Sequence, residues 1–246
     1  MKLFFLICLF VSTAVAAPVT ETRVGLFYEI GKKTESQPTT KYLFKQETKV
    51  TITDDMNRTS DSTIWDAAGH VLMRETATID NGVVTSQVME QLQINEKYVL
   101  TVKDDKVLFE TFSTKDAKNP KLLDSNSVKL TDNFFTGPGL EIFLKKNLDK
   151  LKSQKTVEVD FGIFEFQKSI SFDVKQTKKI FKDGPELIPL QMKLSSLLSL
   201  FVDPLLFEID PATAMLVHYR GRTPVRLMKK GKLEPFDGDI YYELKK

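Results

Sequence analysis

The residue pattern predicts a mainly β fold: a strongly curved antiparallel sheet or half-open β-barrel, with two short helices. Three observations carry that expectation. Apolar residues recur at every second position along much of the chain, the alternating runs are separated by short turn signals, and only two stretches keep apolar residues at helical spacing.

Residues 1–16 read as a signal peptide. Lys2 supplies the positive start, Leu3 to Val11 form an apolar core too short for a permanent membrane span, and Ala14-Val15-Ala16 gives the small side chains a signal peptidase requires. Cleavage is expected near Ala16, with a periplasmic or secreted location and no transmembrane segment in the mature chain. Cys8 is the only cysteine and lies within the apolar core, not behind it where a lipid-attachment signal would place it. A chain of this length can bury enough apolar surface to fold without disulfides, which favours a bacterial envelope. Loss of residues 1–16 removes one basic side chain, Lys2, from 35 basic against 33 acidic. The mature chain is therefore almost neutral, and nucleic-acid binding is not expected. No linker or repeat divides residues 17–246, which read as a single domain.

Val71, Met73, Glu75, Ala77 and Ile79 share one strand face, Asn81-Gly82 supplies residues tolerant of positive φ, and Val83 onward resumes the alternation: a hairpin. Strands at Tyr98 to Val102 and Val107 to Phe112, parted by Asp104-Asp105, extend this into an antiparallel meander from about Thr59 to Phe112. Val157, Val159 and Phe161 alternate until Gly162, after which the apolar parity flips, predicting a bulge or sharp bend. The C-terminal strands are expected at Leu205 to Ile209, Met215 to Tyr219 and Ile240 to Leu244, with turns at Asp210-Pro211 and Asp237-Gly238.

The first helix follows Thr136-Gly137-Pro138. Leu140, Phe143, Leu144, Leu148 and Leu151 form its apolar face and Lys145, Lys146, Lys150 and Lys152 its charged one, predicting an amphipathic surface helix. The second carries Leu194, Leu197, Leu198 and Phe201 at i, i+3, i+4 and i+7, with Ser195, Ser196 and Ser199 between them, and stops at Asp203-Pro204.

No catalytic signature accompanies these elements. The mature chain has no cysteine and no Gly-x-Ser-x-Gly turn, and its two histidines, His70 and His218, lie in distant segments. Neither histidine has a second ligand at metal spacing, and Asp54-Asp55 and Asp104-Asp105 read as solvated turns. Gly137-Pro138-Gly139 lacks the Gly-Lys-Ser/Thr of a phosphate loop and reads as the start of a helix. No enzyme, metal or cofactor is expected. Arg220, Arg222 and Arg226 share one strand parity and could meet an acidic head group, or form a solvated strand face.

The run Met192 to Pro204, MKLSSLLSLFVDP, followed by Phe207-Glu208-Ile209-Asp210 and by Leu216 to Thr223, LVHYRGRT, resembles poorly characterised bacterial periplasmic β-rich proteins. Those in turn are similar in architecture to the half-open barrel of the LolA/LolB lipoprotein-localisation factors. The resemblance implies a non-catalytic carrier in which Leu194, Leu197, Leu198 and Phe201, together with Phe134 and Phe135, contact a lipid or acyl chain. The alternative is an envelope interaction or structural protein whose apolar residues are simply core. An apolar void favours the first and a filled interior the second. A hydrolase of unrecognised type is the third reading.

Overall fold

The structure is a computed structural model that describes residues 17–32, 41–178, 186–196 and 203–245. The first strands run in order as β1 (Val19–Glu29), β2 (Phe44–Ile52), β3 (Arg58–Asp66), β4 (Val71–Asp80), β5 (Val83–Gln91), β6 (Glu96–Lys103), β7 (Lys106–Ser113) and β8 (Lys121–Lys129). The short β9 (Phe134–Phe135) leads through a 3-10 turn at Gly137–Gly139 into the helix α1 (Leu140–Lys152). The remainder is β10 (Val157–Ile163), β11 (Lys168–Gln176), β12 (Ile188–Leu194), β13 (Leu205–Ile209), β14 (Leu216–Lys229) and β15 (Lys232–Leu244).

All of these strands belong to one sheet, ordered β8-β7-β6-β5-β4-β3-β2-β1-β15-β14-β13-β12-β11-β10-β9. The chain meanders outward from β1 to β8, restarts at the opposite edge and meanders back, so its first and last strands pair in the middle, with Gly25 opposite Tyr242. The pairings are antiparallel except that of β9 with β10. The sheet curls without closing into a barrel. Where β8 comes round to the β10–β11 hairpin, side chains make the seam: Asn126 Nδ2 donates to the Gln167 carbonyl at 2.9 Å, and Gln167 Nε2 donates to Thr111 Oγ1 at 2.9 Å. A closed barrel would carry a backbone ladder there.

The Asn81-Gly82 hairpin is present, both residues having positive φ as the two-residue turn demands. Asp104 and Asp105 make the same kind of turn between β6 and β7. Three expectations change. The parity flip near Gly162 is a hairpin and not a bulge, because β10 ends at Ile163, a 3-10 turn at Phe164–Phe166 reverses the chain, and Ile163 pairs with Lys168. Gly162 matters for another reason: a Cβ there would come within 2.9 Å of Phe134 and Thr136 side-chain atoms. Asp237-Gly238 lies inside β15, and the turn is instead Lys230-Gly231, both at positive φ. Leu194 closes β12 and is not helical, since its backbone pairs with Phe172. Of the other residues of that predicted helix, Leu197, Leu198 and Phe201 lie outside the described residues.

The predicted first helix is confirmed as α1, but its environment differs from a surface helix. Phe143, Leu144 and Leu151 pack into one cluster with Val159, Val174, Leu190, Phe207 and Ile209. Ile142 packs on the other side, with Phe134 and Phe164 against Ile79, Val84, Leu100, Val107 and Phe109. A helix lying on a sheet buries one stripe; α1 is buried on two sides because it sits in the curl, and only its lysine face reaches solvent. A third cluster, Phe27, Phe44, Ile64, Met73, Val225, Phe236 and Ile240, fills the part of the concavity under β14 and β15. Among the described residues no helix is long and apolar enough to cross a membrane.

Candidate functional site

The residues nominated as a lipid-contacting set do not line an open chamber where they are described. Phe134 and Phe135 are 4% and 3% exposed. Phe135 stacks on Phe143 at 4.8 Å between ring centroids and meets Phe161 edge-on. Phe134 belongs to the cluster built round Phe109 and Phe164, whose rings meet at 84°. Leu194 is half-buried at the margin of the α1 cluster. These aromatic contacts are the protein's own core packing.

Two of the three arginines have side-chain partners within the sheet. Cross-strand pairing sets Arg220 opposite Asp239 and Arg222 opposite Asp237. Arg220 Nε and Nη2 donate to the Asp239 carboxylate at 2.5 and 3.0 Å, and Arg222 makes the same two-pronged contact with Asp237 at 2.7 and 3.3 Å. Arg226 stands beyond a bulge in β14, and its backbone N–H and carbonyl are both bound by the Gln93 side chain. Gln91 Nε2 also donates to the Pro224 carbonyl, at 2.5 Å, so the bulge is stitched to the β5–β6 turn.

On the sheet face that carries Asp239, His218 Nδ1 lies 3.0 Å from Glu208 Oε2, with Tyr241 beside it at a ring-centroid distance of 4.6 Å. Glu208 and Asp239 are 1% and 0% exposed. Burial together with the Asp239 charge pushes the Tyr241 phenol up to about 12. Alternation explains the arrangement: Phe207, Tyr219 and Ile240 point to the core, so Glu208, His218 and Tyr241 stand on the opposite face in a single cross-strand row. His70 is a separate case, exposed in a turn and bonded to Asp66.

A second polar cluster lies on the concave face. Cross-strand pairing places Arg23, Thr48, Ser62 and Glu75 in one row across β1 to β4. Thr48 Oγ1 and Gln46 Nε2 both donate to Ser62 Oγ, at 2.9 and 2.8 Å. The Gln87 side chain donates from Nε2 to Glu75 at 2.7 Å and accepts at Oε1 from Thr136 Oγ1 at 2.5 Å, which ties β4 and β5 to the segment leading into α1. Glu141, in the first turn of α1, contacts Arg23 directly and lies 3.7 Å from Arg58 Nη1. A carboxylate at that position also suits the helix dipole.

Burial raises the Glu75 carboxyl above the usual range, so it stays protonated to higher pH than a surface glutamate. Burial likewise raises the Tyr242 phenol, and the Glu141 and Glu75 charges on either side add to it. Burial opposes the charge on both arginines. At Arg23, Glu141 and Glu21 outweigh it; at Arg58, burial wins and the neighbouring Arg23 adds to the reduction. Sequence spacing could not assemble this cluster because its members come from six strands and a helix. One signal was legible, namely Glu75 standing on the apolar parity of β4.

Among the described residues no three His, Cys, Asp or Glu side chains gather in a group able to hold a metal ion. Comparison with solved structures finds a β-barrel-like protein of the domain-of-unknown-function family DUF1849 from Brucella abortus, with 7% identity and a TM-score of 0.41 over 93% of this chain and 96% of that one. It also finds a porin-like protein from Bacteroides uniformis, with 9% identity and a TM-score of 0.19 over 92% of this chain and 96% of that one. No protein-family model matches the chain. No curated protein matches it either. The assignment to a curled-sheet architecture rests on the strand order itself.

Proposed function

We propose that the protein is an exported, non-catalytic component of a bacterial envelope that acts by binding a partner with its outer surface, its apolar interior serving as its own core. The observation behind this reading is the occupancy of the curl. Phe134, Phe135, Ile142, Phe143, Leu144 and Phe164 fill the space that an acyl chain would need in a carrier. Two surface grooves stand out among the described residues, and both are open and mixed in polarity. One runs along Tyr42, Lys45, Glu47 and Trp65 to Gly69, the other across Thr20, Lys49, Thr51 and Thr59. Neither offers the enclosed, largely apolar lining of a lipid site.

The carrier reading and the surface-binding reading differ in what travels with the purified protein. Extraction of the protein from cells that make it, followed by mass spectrometry of the organic phase, is expected to recover no stoichiometric lipid. Titration with a fluorescent fatty acid is expected to show no saturation. One lipid per chain, or saturable micromolar binding, would return the carrier to first place.

A further inference from the structure

The polar cluster on the concave face contains charge that its own residues do not fully serve. Arg23 and Arg58 both turn to Glu141, and Arg23 holds it closely, with Glu21 as a second partner at 3.1 Å. Arg58 is left with the same carboxylate at 3.7 Å and a long contact, 3.4 Å, to the Asp55 carbonyl. Its side chain is only 10% exposed, and among the described residues its Nε–H has no acceptor; the Nε–H of Arg23, 14% exposed, has none there either. Buried guanidinium donors are ordinarily satisfied, and one left bare costs more than a neutral donor would. Glu75, another carboxyl on this face, is held toward its neutral form by burial, which outweighs the opposing bond from Gln87, so it supplies less charge than a surface glutamate would.

We propose that Arg58 and Arg23 form a binding site for a single carboxylate or phosphate group, carried by a small anion or by the end of a larger ligand. Arg58 opens β3 directly after the Thr53–Asn57 turn, so the site lies just inside one end of the curl. An incoming oxyanion accepts from the Arg58 Nε–H and compensates the charge that Glu141 shares unequally. Guanidinium groups suit this task because their planar donors match the oxygens of carboxylates and phosphates. The site is independent of the surface-binding reading, since it lies on the concave face and uses none of the outer surface.

The test is calorimetric and NMR titration of the protein with inorganic phosphate, acetate and glycerol phosphate, against chloride at matched ionic strength. Saturable binding of phosphate or acetate is expected if the anion is free, and of glycerol phosphate alone if the group belongs to a larger polar ligand. Arg58→Gln is expected to weaken binding at least tenfold while leaving the circular dichroism spectrum unchanged. Glu141→Gln removes the competing carboxylate and is expected to tighten binding severalfold, a change that a purely structural role for the arginines would not produce. A response no different from chloride in the unmodified protein overturns the proposal. So does unaltered affinity in Arg58→Gln, or weaker binding in a folded Glu141→Gln.

Discussion

Arg220→Ala is expected to destabilise the protein by about 3–5 kcal/mol, because it leaves a buried carboxylate without its cation. The Asp239 side chain is 1% exposed, accepts two bonds from Arg220 and takes a third from the Gly31 N–H at 2.7 Å. Removing the guanidinium takes away two of the three donors that hold that charge among the described residues, in a poorly solvated place. The reverse change, Asp239→Ala, takes this carboxylate from Arg220, whose side chain is 27% exposed and can turn toward water. It should therefore cost less. The double variant Arg220→Ala/Asp239→Ala separates lost charge compensation from lost packing. With both partners removed no uncompensated charge is left buried, so the double variant is expected to be more stable than Arg220→Ala alone. Urea unfolding of the three variants checks this. A loss under about 1 kcal/mol in Arg220→Ala, or a double variant no more stable than it, would mean that the ion pair contributes little.

Leu144→Ala is expected to cost about 2–5 kcal/mol, near the upper end because the site cannot collapse. Leu144 is fully buried on α1, with the core strands packed against one side of the helix and Ile142 anchoring the other. For a domain of this size a loss of about 3 kcal/mol lowers Tm by roughly 6–12 °C. A covering helix that opens and closes over a cavity would tolerate the same truncation with a much smaller change, since its apolar face already spends time in other environments. Differential scanning calorimetry distinguishes the two, and a Tm within about 2 °C of the parent would argue for the movable helix.

How much was legible in the sequence follows from which interactions are local. The hairpins at Asn81-Gly82 and Asp104-Asp105 depend on backbone preferences of adjacent residues, and the alternation between them fixes which side chains face inward, so the meander could be read directly. The stripe of α1 was equally plain, and what escaped was its second buried side. Ile142 lies off the leucine stripe and becomes core only because the sheet curls round the helix. Leu194 shows the opposite failure. Helical spacing of apolar residues also arises by chance where a strand ends and a loop begins, and here pairing with Phe172 prevailed. The concave polar cluster was beyond reach because Arg23, Arg58, Glu75 and Glu141 meet through the register of several strands, which no local pattern states. Arg220 and Arg222 are visible as a pair in the sequence, but Asp237-Gly238 has the composition of a turn, which hides the ion pairs between β14 and β15.

The helix α1 is a plug, part of the core inside the curled sheet. Native-state hydrogen exchange of the α1 amides measures it most directly, because exchange reports whether a segment opens alone or only with the whole molecule. The amides of Phe143 to Leu151 are expected to exchange at the pace of the core strands β7 and β10, with the same denaturant dependence and no change when a fatty acid is added. Exchange of α1 by a separate, low-energy opening, or protection that rises on adding the fatty acid, would contradict it.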